Sequence, residues 1–271
     1  MAAVDASWTF EPGAIALVAT LAGVYAVRWR RVRASKDGRR GAPTSRALAL
    51  AGAVVLLVTA LLSPVDRLAE QVFAMHMLQH VLLLDVVPIL LMLALTKVLL
   101  RPATRRLQRV EEAAGILAHP ALAVALYVAI MWFWHIPALY DAALEYPVVH
   151  IVEHVSLLSI GTLYWWHLLS PIRGRISIGP FGPVVYMLVT KLLVGFLGIA
   201  LTFAPDALYD FYVRQPRVWG LSATDDQAVA GAIMAIEQSV VMGIALAYLF
   251  VKALAESDRE DERDERFGRT G

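Results

Sequence analysis

The pattern of apolar and polar positions divides the chain into seven long apolar stretches separated by shorter polar ones. A helix needs about 20 apolar residues to cross the hydrocarbon core of a bilayer, and each stretch approaches that length. Because backbone groups in lipid must be hydrogen-bonded within the segment, we expect each stretch to be a transmembrane helix. The predicted spans cover residues 12–28, 46–63, 73–95, 115–134, 148–169, 183–204 and 228–251.

Composition agrees with a membrane protein, since 59% of the 271 residues are hydrophobic against about 45–50% in soluble domains. We find no internal repeat and no inserted soluble domain. The sequence therefore predicts an all-α, polytopic membrane protein with one seven-helix transmembrane domain over residues 1–255. Residues 256–271 contain seven acidic residues and four arginines, which predicts a charged, disordered tail.

The distribution of basic residues predicts the orientation of these spans. Of the 24 lysines and arginines, eight lie in the first predicted loop, five in the third, two in the fifth and five in the tail. Loops rich in lysine and arginine remain on the cytoplasmic side. We therefore expect the N-terminus outside and the C-terminus in the cytoplasm.

Five of the seven histidines lie near one end of a predicted span. His76/His80 and His150/His154 begin spans three and five, and His135 ends span four, which places all five near the outer surface. A four-residue step brings both imidazoles of a pair onto one helix face. Histidines inside a membrane are usually functional, so the two pairs predict a metal site, with hydrogen bonds between helices as the alternative.

Other residues extend this candidate site. Imidazole suits copper, zinc, iron and nickel, while a thioether such as that of Met234 selects Cu(I). Asp226 is a further candidate ligand, or else a helix cap, and Glu153 is positioned to orient an imidazole from behind the ligands. Cysteine is absent from the sequence, which excludes thiolate sites and disulfides. We expect Asp85 to pair with Lys191 in the middle of the bundle.

The residues alone do not identify which metal or cofactor the histidines bind. His150-Ile151-Val152-Glu153-His154 matches the H-x-x-E-H pattern of zinc hydrolases. A haem held between histidines of spans three and five is another alternative. A membrane di-iron desaturase is excluded, because the chain has too few histidines and they face the wrong side.

Four motifs, in order, resemble the CtaG (Caa3_CtaG) family of cytochrome c oxidase assembly factors. They are Met75–His80 followed by Pro88, Trp132–Leu144, His150–His154 leading to Trp165-Trp166, and Asp226-Gln227 with Gly231 and Ile233-Met234. The resemblance implies a seven-span plasma-membrane protein that acts as a chaperone in terminal oxidase assembly, with a role in copper delivery. The sequence departs from the pattern that we expect for the family at two places, Asp85 and Ala235–Glu237.

Together with the residue pattern, the resemblance implies an outward-facing copper site and no enzymatic activity. Its expected ligands are His76, His80, His150 and His154, with His135 at the mouth and Met234 or Asp226 completing it from span seven. The expected partners are terminal oxidase subunits and membrane lipid, and no nucleic acid is expected. A metal-free assembly scaffold remains an alternative, and so does a homo-oligomer.

Overall fold

A computed structural model describes residues 4–172, 179 and 181–268, without the side chains of Glu256 and residues 259–268. Every regular element in this part of the chain is helical. The first seven helices are α1 (Pro12–Arg33), α2 (Gly38–Gly41), α3 (Thr44–Leu62), α4 (Pro64–Ala69), α5 (Phe73–Val81), α6 (Val87–Ala94) and α7 (Lys97–Ala114). The next six are α8 (Pro120–Trp134), α9 (Pro137–Glu145), α10 (Pro147–Leu169), α11 (Gly182–Phe203), α12 (Asp210–Arg214) and α13 (Ala223–Gly268).

Proline begins several of these helices. Pro12, Pro120, Pro137 and Pro147 each lie in the first turn of a helix, where the missing N–H costs nothing and the fixed φ angle suits the helix. Pro147 in this way starts the helix that carries His150 and His154. Two irregular turns interrupt the pattern, a π-helical turn at Leu82–Val86 and a 3₁₀ turn at Gly115–Ala118.

Among the described residues, six helices are long and apolar enough to cross a membrane. They are Pro12–Arg33, Gly38–Leu62, Phe73–Ala94, Pro147–Leu169, Gly182–Phe203 and Ala223–Ala255. The chain is thus a multi-pass membrane protein, and these helices coincide with six of the seven predicted spans. The fold is all-α, as predicted.

The structure differs from the prediction at the fourth span, residues 115–134. Its α-helix, α8, has only 15 residues and is therefore about 22 Å long, short of a bilayer core of about 30 Å. Gly115 has a φ of +53°, and His119 is extended before Pro120, as the residue preceding a proline tends to be. Helix α7 leads into α8 through a bend of 69°.

The third loop and the C-terminal tail are helical in the structure where the sequence predicted no helix. The third predicted loop forms helix α7, and α13 continues through Gly268, where the sequence predicted a disordered tail from residue 256. The last residues of that tail, 269–271, and the basic residues Arg173 and Arg175 of the fifth loop lie outside the described residues.

The interior of the bundle is built around the span formed by α5, the π turn and α6, which packs against α3, α10 and α13. The main hydrophobic core contains buried aromatic residues such as Tyr127, Tyr164 and Trp165. Helix α1 contacts α3 at the periphery. The first turns of α5 and α10 lie side by side at one end of the bundle, and the chain segments with α9 and α12 cover the same end. This end holds the candidate site.

Candidate metal centre

His76, His80, Glu153 and His154 form a compact group between α5 and α10. One ligand atom from each lies within 4.8 Å of all the others. Opposite ligands of one ion, with bonds of about 2.1 Å, are roughly 4.2 Å apart, so the group is close to the size that a single ion requires. The HxxxH spacing produces this geometry, because each pair occupies one face of its helix. The structure thus brings three of the four predicted histidine ligands together.

Glu153 lies in the middle of the group rather than behind it. Its Oε2 is 3.5 Å from Nε2 of His76, and its Oε1 is 3.4 Å from Nε2 of His80. From the sequence we expect this side chain to orient a neighbouring imidazole from outside the ligand set. It instead faces the histidines of the other helix, because position 153 points from α10 toward α5. Its carboxylate is therefore a candidate ligand itself.

The nitrogen and oxygen atoms that converge inside this group are buried and have no hydrogen-bond partners. His76 and Glu153 have no exposed surface, and His80 is 1% exposed. The Nε2 atoms of His76, His80 and His154 and both carboxylate oxygens of Glu153 lack a hydrogen bond. Buried polar groups in native proteins are nearly always satisfied. A set of unsatisfied nitrogens and oxygens that converge on one point fits a bound metal ion.

His150 and His135 flank the group. The ring of His150 lies 4.1 Å from that of His154 and 5.2 Å from that of His76, measured between centroids. The ring of His135 lies 6.0 Å from that of His80, and its Nδ1 is 2.7 Å from the carbonyl oxygen of Met131. Nε2 of both flanking residues lacks a hydrogen bond. Both histidines thus lie beside the group without belonging to its closest set of ligand atoms.

Two tyrosines hold His76 from its far side. Nδ1 of His76 lies 3.1 Å from the hydroxyl of Tyr140 and 3.2 Å from that of Tyr212. Tyr212 donates its own proton to the carbonyl oxygen of Ala69 at 2.6 Å, which leaves its oxygen free to accept a hydrogen bond from a protonated Nδ1 of His76. This arrangement favours the tautomer in which the lone pair is on Nε2. Partners of this kind fix the orientation of metal-binding histidines.

Burial keeps both tyrosine hydroxyls protonated. Desolvation raises the pKa of Tyr140, in α9, and of Tyr212, in α12, well above the usual value, because a buried phenolate is unfavourable. The sequence indicated Tyr140 only as part of the motif Trp132–Leu144, and it did not indicate Tyr212. Only the aromatic character of the segment around Tyr209 and Tyr212 could have suggested a buried role.

Asp226 and Met234, the candidates from the last span, make contacts outside the group of His76, His80, Glu153 and His154. The carboxylate of Asp226 accepts the backbone N–H groups of Phe73 and Ala74 at 2.7 and 3.0 Å. It therefore caps the start of α5, the helix that carries His76 and His80, and both of its oxygens are engaged. Met234 is buried in the hydrophobic core, and its Cγ lies 3.3 Å from the place a Cβ on Gly198 would occupy. It packs against α11.

The two remaining histidines belong to other parts of the bundle. Nδ1 of His119 accepts the backbone N–H of Ala121 and so caps α8. The ring of His167, near the end of α10, lies 6.5 Å from that of Tyr186. Both therefore lie at helix ends and outside the group of His76, His80, Glu153 and His154.

Comparison with known proteins places the chain in a family. The model of the cytochrome c oxidase caa3 assembly factors (Caa3_CtaG) matches residues 23–256. The chain belongs to the Caa3_CtaG family. The match confirms the resemblance found in the sequence, and it includes every residue of the candidate metal centre. No solved structure matches this Caa3_CtaG member.

An uncharacterised protein of Mycobacterium leprae (strain TN) is 25% identical to this Caa3_CtaG member. The similarity covers 94% of the chain but 40% of that relative. The chain thus spans about two fifths of the length of the curated protein it matches.

Proposed function

We propose that the protein is a cytochrome c oxidase assembly factor that binds copper at the group of His76, His80, Glu153 and His154. Membership of the Caa3_CtaG family supports the assembly role. The observation that carries the copper proposal is the convergence of buried nitrogens and oxygens without partners between α5 and α10. The ion is cargo, which the protein passes to a subunit of a terminal oxidase.

The donor set is suited to such a role. Three imidazoles and one carboxylate bind divalent copper well, whereas thioether sulfur selects Cu(I). The converging atoms are imidazole nitrogens and carboxylate oxygens, so the group favours Cu(II). The carboxylate contributes one negative charge, which lowers the cost of holding a divalent ion away from water.

We further propose that the site opens to the outside of the plasma membrane. Helix α8, although shorter than the bilayer core, forms the fourth crossing with local thinning of the bilayer, so that together with the six longer helices it gives seven crossings. The basic residues between α1 and α3 and in α7 then lie in the cytoplasm, and the start of α5 and of α10 faces outward. His150 and His135 flank this side of the group, where copper enters and leaves.

Haem and zinc chemistry are less well supported. A porphyrin needs two histidine nitrogens that face each other across an open slot, but the carboxylate of Glu153 lies against both His76 and His80. In an H-x-x-E-H hydrolase the glutamate acts on water as a base, whereas Glu153 faces the histidines of the other helix. An absorption spectrum without a Soret band and elemental analysis without zinc are the expected results.

A complementation experiment tests the assembly role. A strain that lacks the gene receives the wild-type protein, the His76→Ala/His154→Ala variant, or a matched control in which His119 and His167 are both replaced by alanine. We expect the wild type and the control to restore cytochrome c oxidase activity, and the His76→Ala/His154→Ala variant to fail while reaching the same level in the membrane.

Two outcomes would contradict the proposal. If the deletion leaves oxidase activity unchanged, the assembly role is wrong. If the His76→Ala/His154→Ala variant restores full activity, the protein is a metal-free scaffold. Excess copper in the medium provides a further check, since it should partly restore activity where only copper delivery is lost.

A further inference from the structure

Helix α7 follows the third membrane span and has one apolar and one basic face. Residues at steps of three and four along this helix, which share one face, are apolar: Leu100, Ala103, Leu107, Val110 and Ala114. Arg101, Arg105 and Arg109 lie on the opposite face. Arginines on the polar face and aliphatic residues on the other are typical of helices that lie along the surface of a membrane.

Contacts with α1 fix the first turns of α7 against the bundle. Pro102, inside α7, has no N–H to donate to the carbonyl oxygen of Val98, and Nη2 of Arg28 donates to this oxygen instead, at 2.8 Å. Nε of the same guanidinium donates to the carbonyl oxygen of Leu99 at 2.9 Å. The side chain of Leu99 is buried in a small cluster with Val32 of α1. Because α7 follows the end of the span that α5 begins, it is held at the end of the bundle away from the metal centre.

The second half of the apolar face of α7 is exposed. Leu107 is 36% exposed and Val110 is 66% exposed. Ile116 and Leu117, in the 3₁₀ turn that follows, are 83% and 67% exposed. With α8 as a membrane crossing, the bend of 69° between the two helices places α7 closer to the membrane plane than to the membrane normal. Its exposed aliphatic side chains are then positioned to enter the boundary between headgroups and acyl chains.

Exposed arginines lie on α7 and on the two helices that contact it, α1 and α2. We call them the basic surface, and they are Arg30, Arg31, Arg39, Arg40, Arg105, Arg106 and Arg109. Arg101 pairs with Asp37 at 3.2 Å, but within the described parts of the chain no residue of the basic surface makes an ion pair. The basic surface therefore has guanidinium groups available for an anionic partner.

We propose that α7 and the basic surface bind the headgroups of anionic phospholipids in the leaflet at this end of the bundle. Guanidinium groups bind phosphate oxygens through paired hydrogen bonds, and clusters of basic residues beside a membrane span are typical of sites for anionic lipids. Such a lipid gives both faces of α7 a partner, with phosphate for the arginines and acyl chains for Leu107 and Val110. An acidic soluble protein is the alternative that the experiments below separate from it.

Lipid selectivity in reconstituted vesicles tests the proposal. The full-length protein is incorporated into phosphatidylcholine vesicles that contain a trace of spin-labelled phosphatidylglycerol or of spin-labelled phosphatidylcholine, and the fraction of each label that the protein immobilises is measured. We expect the protein to immobilise more of the phosphatidylglycerol, with a smaller difference at high salt because salt screens exposed charges. Arg105→Gln/Arg109→Gln should lose most of this difference.

The matched control is Arg67→Gln/Arg214→Gln, which removes the same charge from arginines that already pair with Glu70 and Glu145. This variant should keep the preference of the wild type for phosphatidylglycerol. The proposal is wrong if the wild type shows no preference, or if both variants lose it equally. Because no residue of the metal centre is changed, the result does not depend on copper binding.

The depth of α7 in the bilayer is an independent measurement. Gln108 and Val110 are two positions apart and so lie on nearly opposite faces of the helix. Since the chain has no cysteine, a nitroxide can be attached to Gln108→Cys or Val110→Cys alone in vesicles that contain phosphatidylglycerol. We expect oxygen, which concentrates in lipid, to reach the label at position 110, and a water-soluble nickel chelate to reach the label at position 108. If the nickel chelate reaches both labels equally, α7 does not lie against lipid and the surface serves a soluble partner instead.

Discussion

Glu153 contacts ring nitrogens of both histidines on α5 and is the only carboxylate in the group identified among the described residues. As a copper ligand it supplies a charge that a neutral amide cannot replace. We expect Glu153→Gln to lower copper affinity at least 10-fold, as judged by competition with a chelator. Glu145→Gln is the control and should bind as the wild type does. If Glu153→Gln retains full affinity, the carboxylate is not a ligand.

Tyr140 and Tyr212 act on copper only through His76. Loss of a partner that orients a metal-binding histidine typically costs about 10–100-fold in metal affinity. We therefore expect Tyr140→Phe/Tyr212→Phe to weaken copper binding by a factor in this range without loss of stoichiometry. Tyr146→Phe, at an exposed position before α10, is the matched control. Unchanged affinity in the double variant would show that His76 is held by packing alone.

At the level of elements, Asp226 links the last span to the start of the helix that carries two of the histidines. Its loss leaves the N–H groups of Phe73 and Ala74 without an acceptor, at a cost of about 1–3 kcal/mol. We expect Asp226→Ala to lower the thermal unfolding temperature of the purified protein, and its copper affinity as a consequence. Asp225→Ala, which only removes bonds to exposed Ser222, should have little effect. Equal effects would contradict a capping role.

Gly161 allows α10 to approach the π turn closely. A Cβ at this position would lie 2.0 Å from the carbonyl oxygen of Leu84, so the two spans would have to separate. We expect Gly161→Ala to destabilise the protein by about 1–3 kcal/mol, measured by thermal unfolding in detergent. Gly195→Ala should be neutral, because nothing lies within 4 Å of its added Cβ. A neutral Gly161→Ala would mean that the helices do not pack as described.

Periodicity and hydrophobicity predicted the long helices well, because six spans are continuous apolar segments. The same reasoning could not detect the shortness of α8, which depends on the backbone conformation of Gly115 and His119. It also failed for Asp85, since the π turn changes the direction of a side chain relative to a regular α-helix. Tyr127 and Trp165, which donate hydrogen bonds to the carboxylate of Asp85, come from other spans. Sequence spacing carries no information about which helices are neighbours.

At the level of the whole molecule, the candidate site was predictable as far as helical spacing determines it. The HxxxH pairs placed His76, His80 and His154 together, and the basic loops suggested that they share one side of the membrane. The position of Glu153 required knowledge of how α10 is rotated against α5. The contact of Tyr212 with His76 joins residues 136 positions apart, and it depends on how a loop folds back over the bundle.

The proposed function requires that the end of the bundle with the metal site face the outside of the membrane. The sequence contains no cysteine, so single cysteines can be introduced without removing others. We expect a membrane-impermeant maleimide to label Pro216→Cys, in the segment that covers the metal site, on intact cells or spheroplasts. Gln108→Cys, in α7, should react only after the membrane is permeabilised. The reverse pattern would place the site in the cytoplasm and contradict delivery from outside.

The most direct test of the central claim is the amount of copper bound by the purified protein. Elemental analysis after equilibration with Cu(II) and removal of free metal should give one copper per chain for the wild type and for the His119→Ala/His167→Ala control. The His76→Ala/His154→Ala variant should bind none while it remains folded. Stoichiometric copper in that variant, or none in the wild type, would show that no copper site lies between these helices.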